Sequence, residues 1–440
     1  MNRTVEKNKT LLVEGPASVS IISGKVQVFG FTVGNPKKVV IREGKQLPFA
    51  IEESTTFEIS AGQNSRVEEV EGYTIPSSWT KAYEELGKIQ AKPRTALVFG
   101  TIDSGKSSFC TYLINQLLQE KRKVAILDGD LGQSDIGPPC TVAYTIVTKP
   151  LTDLFNLKAK NAFFVGATSP SLASEKAIDG LAWLRSEITN DEPDFIIINT
   201  DGWTESECAV KYKIRLVEKL NPDIVFCIQQ KDELAFLLNA LRDCEKAVVT
   251  LEYPPAIKQR DKEKRRNLRE LGYIKYLRNA KVQSLPLSWV KIDDNEMFGL
   301  SKPRGDLKRA RKMYELLGMK PLHFAEMTDR VIVIIGRKRW IDSENLRKTE
   351  EFTKKNIAII RTGEEQGLLT ALFGANKSFL GIGILQEIDY VRKTLKILTP
   401  IQGEVVSIVI GKIKLDRNMK EVPVFEDENQ IDFTSLRKLF

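Results

Sequence analysis

The 440-residue chain carries 66 lysines and arginines against 58 aspartates and glutamates, a net charge of +8. No apolar stretch approaches the ~20 residues of a membrane-spanning helix, and the polar start, Met1 to Lys9, lacks the apolar core of a secretion signal. Cys110, Cys140, Cys208, Cys227 and Cys244 form no C-x-x-C pair and His323 is the single histidine, a pattern that speaks against a zinc site and for a reduced, cytoplasmic protein.

Residues 1–75 read as all-β. Short β-branched runs at Val19–Ile21, Val26–Val28, Val39–Ile41, Phe49–Ile51 and Phe57–Ile59 are separated by Gly15-Pro16, Gly24, Gly34-Asn-Pro36 and Gly44, which predicts a small sandwich or barrel. A short helix follows from Trp79 to about Ile89, with Ser77 or Ser78 as its cap, and leads to Lys92-Pro93 as a linker. From Arg94 the pattern becomes strand–helix alternation. Apolar runs at Ala96–Phe99, Val124–Leu127, Phe195–Ile198 and Ile224–Ile228 read as buried parallel strands. Repeated βα units of this kind predict an open, mostly parallel sheet whose ligands sit at the carboxyl ends of the strands.

Residues 100–107, Gly-Thr-Ile-Asp-Ser-Gly-Lys-Ser, match G-x-x-x-x-G-K-[ST] between the first such strand and an amphipathic stretch ending near Glu120. In that context the motif is a phosphate-binding loop. Glycines let successive N–H groups turn toward phosphate oxygens, Lys106 reaches the outer phosphates, and the Ser107 hydroxyl suits Mg²⁺. The second strand runs into Asp128-Gly-Asp130-Leu-Gly132-Gln133. Period two places Asp128 and Asp130 on one side of an extended chain, one suited to Mg²⁺ and the other to the proton of an attacking hydroxyl.

Further along, Phe163-Phe-Val-Gly-Ala-Thr168-Ser169-Pro170 is an apolar strand ending in donor-rich loop, and Asn199-Thr-Asp-Gly-Trp203 puts a tryptophan past a core strand. That ring is a base-stacking platform or core filler. The strand Ile224–Ile228 is followed by Gln229-Gln-Lys-Asp232 and not by N-K-x-D, which disfavours guanine-specific switching. Between Lys258 and Arg278 nine basic residues face three acidic ones, and a second basic run spans Lys302 to Lys312. Such clustering suits a polyanion or is a solvated helix face. Arg260, Arg265, Arg266 and Arg269 fall on a predicted helix, where 265 and 269 share a face, as do 266 and 269. After about residue 280 short strands return at Val331–Ile335, Ile357–Ile360, Phe379–Ile384, Leu395–Leu398 and Val405–Ile410, predicting a compact C-terminal β domain. The expected architecture is therefore α/β: an N-terminal β domain with linker helix (1–90), a central P-loop NTPase domain with a mostly parallel sheet and basic lid (91–280), and a C-terminal β-rich domain (281–440).

Taken together these motifs resemble the polynucleotide 5′-hydroxyl kinases of RNA processing, with their archaeal relatives. Thr10–Ser18 is similar to the family's N-terminal β-domain opening. The phosphate loop, Asp128-x-Asp130-x-Gly132-Gln133, Thr168-Ser-Pro170 and Gly202-Trp203 stand in family order, and Arg260 and Arg265 match the spacing of its lid arginines. Gly129 departs from the larger apolar residue of many members. The resemblance implies that Gly100, Thr101, Ile102, Asp103, Ser104, Gly105, Lys106, Ser107 and Ser108 hold ATP, with Ser107 and Asp128 at Mg²⁺. It implies that Asp130 engages the acceptor hydroxyl, that Gln133, Thr168, Ser169, Pro170 and Trp203 contact nucleic acid, and that Arg260 and Arg265 close over the transferring group. The implied activity is phosphoryl transfer from ATP to RNA 5′-hydroxyl ends, with DNA ends open as well. RNA-processing proteins are the implied partners, and a non-catalytic, ATP-bound subunit of an RNA-processing complex is the alternative.

Overall fold

A computed structural model describes residues 1–34, 37–256, 259–292, 307–326 and 330–422. The Asn35-Pro36 separator, Lys258, and Lys302 and Arg304 of the second basic run lie outside them. The chain divides into two compact units, Met1–Gly272 and Tyr273–Phe440.

The first unit opens with a seven-stranded antiparallel sheet. Pairs of predicted runs fuse here: Val19–Ile21 and Val26–Val28 belong to one strand, Ala17–Val28, while Phe49–Ile51 and Phe57–Ile59 belong to Gln46–Ala61. The breaks read from sequence are irregularities in the pairing of these two strands, near Ser23 and Lys25, and not chain reversals. The turn Phe29–Gly30 docks on the helix after the phosphate loop: Asn115 Nδ2 donates to Phe29 O (3.1 Å), and Gln116 Nε2 and Gln119 Nε2 donate to Gly30 O (3.0 and 2.9 Å). The linker helix spans Ser77–Lys88, but neither serine caps it: Pro76 holds that position, and Ser78 Oγ instead accepts from Glu252 N (3.2 Å).

The second sheet has seven strands. Val124–Gly129, Phe195–Thr200, Arg94–Gly100, Ile224–Ile228 and Ala247–Leu251 run parallel in that spatial order; Thr141–Val147 pairs antiparallel with the first of them, and Asn161–Phe164 pairs antiparallel with Thr141–Val147 at the edge. The central strands are buried along nearly their whole length, as strands of a parallel sheet covered on both faces are; Phe195–Thr200 is buried at all six positions, Asn199 and Thr200 included. The α/β P-loop architecture expected from the alternation is what forms.

The second unit holds a seven-stranded sheet and a separate three-stranded one. It is not all-β: helices Leu307–Leu317 and Ser343–Thr353 pack with the smaller sheet, and the latter is the crossover between parallel strands Arg330–Ile335 and Asn356–Arg361. Alternation along Arg330–Ile335 explains the layering. Val331, Val333 and Ile335 join a core with Met313 and Leu317, while Ile332 and Ile334 join the core of the larger sheet. Helix Ser343–Thr353 escaped the reading because its buried positions are threonines, Thr349 and Thr353.

Candidate active site

Strand Arg94–Gly100 ends between Phe195–Thr200 and Ile224–Ile228, and the chain must there turn sharply into helix Lys106–Gln119. Asp103 (φ +57°) and Gly105 (φ +97°) make the reversal in the left-handed region. Gly202 supplies the complementary concession: a Cβ there would lie 2.6 Å from Ile102 N, so only glycine lets the Thr200–Trp203 loop lie against the phosphate loop.

A cavity of ≈ 340 Å³ opens at this point. Its wall includes Ile102, Asp103, Ser104, Gly105, Lys106, Ser107, Ser108, Asp130, Gln133, Thr168, Ser169, Pro170, Trp203, Arg260 and Arg265. Residues spread over more than 160 positions of sequence thus converge on one space. Gly100, Thr101 and Asp128 do not reach its wall. Carbonyls of the first two accept from Lys106 Nζ, at 3.0 and 2.6 Å, folding the lysine back along its own loop.

The two aspartates occupy different environments. Asp128 lies inside strand Val124–Gly129 and is fully buried. Its Oδ1 accepts from Asn199 Nδ2 (3.0 Å) and Asp130 N (3.2 Å), and its Oδ2 from Asp135 N (2.8 Å) and Ile136 N (3.3 Å). Burial, with Asp135 and Asp130 nearby, pushes this carboxyl up to about 7. Asp130 stands just past the strand end and lines the cavity, whereas Asp128 does not. Its Oδ1 accepts from Gly132 N (3.1 Å) and Gln133 N (2.9 Å), while Oδ2 has no hydrogen bond among the described residues. Burial raises the Asp130 carboxyl above its ordinary range, and Lys106 opposes that rise.

The lid arginines rest on the phosphate loop. Arg260 donates through its backbone N and NH1 to Asp103 (2.8 and 3.0 Å) and through NH2 to Gly44 O (2.8 Å). Arg265 NH1 lies 3.8 Å from the same carboxylate and donates to Arg260 O. Gln133, expected at nucleic acid, also braces the lid: its Nε2 donates to Arg265 O (2.9 Å). Arg260 lies before helix Lys262–Tyr276 and not on it as expected; of the arginines on that helix beside Arg265, Arg269 lines the cavity whereas Arg266 pairs with Glu270 (3.1 Å).

Several residues at the site carry no sequence signal of their own. Asn199 is the register partner of Asp128 and bridges it to Ser107 Oγ (3.5 Å). Asp201 lines the cavity and forms a buried ion pair with Lys213 (2.9 Å), while its Oδ1 accepts from Trp203 N (2.9 Å). The Trp203 ring is partly buried against the core, 5.8 Å from Tyr212, and the residue also lines the cavity. Arg42, in the connection after strand Lys37–Ile41, reaches Asp135 (2.5 Å) and Asp153 (2.7 Å). Lys45 of the same connection and Leu12, Glu14 and Pro48 of the N-terminal sheet also line the cavity. Nothing in a β-strand pattern marks them for this, since the fold alone brings the sheet there.

No group of three or more metal-ligating side chains exists among the described residues. Mg²⁺ needs less, because it takes one or two protein oxygens beside phosphates and water. The Ser107 hydroxyl and the Asp130 carboxylate, both on the cavity wall, are hard oxygen donors that fit it. For Asp128 to bind the ion directly through one oxygen, that oxygen would have to give up its two N–H donors.

Burial lowers the Lys106 ammonium to about 8, Asp130 opposing. A polyphosphate beside it favours the charged form, so above pH 8 the free lysine is largely neutral and must gain a proton on binding. Nucleotide binding is expected to take up roughly three-quarters of a proton at pH 8.5 and about a tenth at pH 7. Titration calorimetry in two buffers of different ionisation enthalpy measures this; equal uptake at both pH values would contradict it.

The family model for the mRNA cleavage and polyadenylation factor CLP1 P-loop matches residues 100–279. Over that segment the chain is similar to CLP1-type P-loop domains. The resemblance read from its motifs is borne out by relatives outside it. A polyribonucleotide 5′-hydroxyl-kinase of Methanocaldococcus jannaschii is 28% identical over 346 residues, 78% of this chain and 92% of the relative. One from Pyrococcus abyssi is 25% identical over 359 residues, 80% and 96% of the two chains. A solved Clp1p–Pcf11p complex contains a chain of the same fold, at 13% identity and TM-score 0.63, covering 94% of this chain and 97% of that one. The lid helix and both aspartates lie within the matched segment, whereas Arg42 and Lys45 lie before it.

Proposed function

We propose that this chain transfers the γ-phosphoryl group of ATP, with Mg²⁺, to the 5′-hydroxyl end of RNA. The observation that carries the reading is the single cavity shared by Lys106 and Ser107 on one side and Asp130, Arg260 and Arg265 on the other. A donor site alone needs only the first pair. A carboxylate oxygen left open beside it is what an acceptor hydroxyl requires. Transfer to an RNA end accords with the names of the archaeal relatives.

In this scheme Lys106 leaves the carbonyls of Gly100 and Thr101 for the outer phosphates. The Ser107 hydroxyl would hold Mg²⁺, which supplies charge neutralisation at the phosphates. Asp130 Oδ2 orients the 5′-hydroxyl and accepts its proton; the raised pKa of this carboxyl suits a base more than the ordinary value would. Asp128 is a positioning residue, holding Asn199 and the Asp130–Ile136 loop through its four hydrogen bonds. Thr168, Ser169 and Pro170 face the strand end, and Trp203 offers a ring to its first bases. Arg260 and Arg265 exchange Asp103 for phosphoryl oxygens, which their planar forks match.

Incubation with γ-labelled ATP and 5′-hydroxyl oligonucleotides tests this. Labelled RNA that disappears in Lys106→Ala is the expected result, and a parallel DNA arm reads the sugar preference. ATP binding without label would instead favour the non-catalytic subunit.

A further inference from the structure

Between strand Arg330–Ile335 and helix Ser343–Thr353 the second unit carries the loop Gly336-Arg-Lys-Arg-Trp340. Arg337, Lys338 and Arg339 are exposed, and none pairs with a carboxylate among the described residues. The neighbouring acids are engaged: Asp342 accepts from Glu344 N as the helix cap, and Glu344 pairs with Lys348 at 2.7 Å. Trp340 is 75% exposed, an arrangement that forfeits the burial tryptophan normally contributes.

The ring is nonetheless held. The Arg361 guanidinium sits 4.4 Å from its centroid, and Arg361 is itself steadied by Glu364 (NH1 to Oε1, 3.7 Å). Arg337 N donates to Thr362 Oγ1 (3.1 Å), tying the loop to the adjacent strand end, and Arg339 N donates to Gly336 O (2.8 Å) within the loop. One face of the indole is thus backed by a cation while most of the residue stays in water. A flat π surface flanked by three free cations is complementary to stacked bases joined by phosphates. An anionic membrane surface also attracts cations and tryptophan, but it rewards apolar area, and this loop offers no second apolar side chain.

We infer that the Gly336–Trp340 loop is a second docking site for single-stranded polynucleotide, in which a base stacks on the open face of Trp340 and neighbouring phosphates meet Arg337, Lys338 and Arg339. The inference rests on the polynucleotide substrate proposed above. It makes the C-terminal unit a contributor to affinity for long strands and leaves the chemistry at the cavity untouched.

Fluorescence anisotropy with 3′-labelled 20-nucleotide single-stranded RNA and DNA tests it on the full chain. Trp340→Ala is expected to weaken binding by roughly 5- to 100-fold, with Trp340→Phe retaining most of the affinity. The triple variant Arg337→Ala/Lys338→Ala/Arg339→Ala is expected to flatten the salt dependence, lowering the slope of log affinity against log salt by about 2. Phosphorylation of a saturating tetranucleotide is expected to stay at the parent rate in all of these. Unchanged 20-mer affinity and salt slope in both variants would overturn the inference. So would co-sedimentation with phosphatidylglycerol vesicles that Trp340→Ala abolishes while RNA affinity stays intact. Because anisotropy reads binding without turnover, a chain that phosphorylated no end would count against the kinase reading and not against the loop.

Discussion

Arg265→Ala is expected to lower turnover by about 10³–10⁵ while changing nucleotide affinity only a few-fold, in keeping with what a transition-state arginine contributes in phosphoryl transfer. The reason lies in how the guanidinium is held before any ligand arrives. Arg265 NH1 lies 3.8 Å from Asp103 and donates to Arg260 O, and Gln133 Nε2 secures the Arg265 carbonyl at 2.9 Å. The side chain is 20% exposed, so it is already at the cavity wall and largely desolvated. Charge that is positioned in advance stabilises a transition state without reorganisation at the moment of reaction. Arg266 supplies an internal comparison, since it pairs with Glu270 and does not line the cavity; Arg266→Ala is expected to turn over at close to the parent rate. Steady-state rates at saturating ATP and oligonucleotide decide the matter. A normal rate for Arg265→Ala would remove this residue from the mechanism.

The largest expected effect on stability comes from Lys213→Met. Lys213 is completely buried and its Nζ donates to Asp201 Oδ2 (2.9 Å) and Asp201 O (3.0 Å). Removing one partner of a buried pair strands the other charge in low dielectric, at a cost of ~3–5 kcal/mol. That is a large part of the ~5–15 kcal/mol by which domains are usually stable, so the variant should fold in the cold and unfold well below the parent midpoint. Urea unfolding with an unchanged slope would measure it. Lys213→Met/Asp201→Asn should recover much of the loss, because no uncompensated carboxylate remains. An unshifted midpoint in Lys213→Met would contradict the account. Asp201 also accepts from Trp203 N at 2.9 Å, so the single variant should lose the placement of that tryptophan too.

How much of this site the sequence disclosed depends on the distance over which each residue acts. The phosphate loop was legible because its whole function is local: glycine spacing, one lysine and one serine act through a backbone turn of eight residues. The aspartates were legible as a pair but not as individuals. Period-two reasoning is valid within a strand, and Asp130 lies just beyond one. Gln133 was found for its position in the motif, while its hydrogen bond to Arg265 O spans 132 positions and no local pattern encodes it. Helix periodicity also left the lid arginines undivided, until the pairing of Arg266 with Glu270 and the exposure of Arg269 to the cavity separated them.

Local chemistry therefore determined the nucleotide loop, the parallel strands that carry it and the class of reaction its neighbours suit. These follow from backbone geometry and from burial on both faces of a sheet, which leave marks at short spacing. Tertiary structure alone decided that Asn199 faces Asp128, that Lys213 neutralises Asp201, and that Arg42 from the connection after strand Lys37–Ile41 grips Asp135. Each of these is a pairing between groups whose cost of burial is relieved only by a specific distant partner. A single sequence records the presence of both charges or amides, but their meeting depends on register and packing of the whole unit.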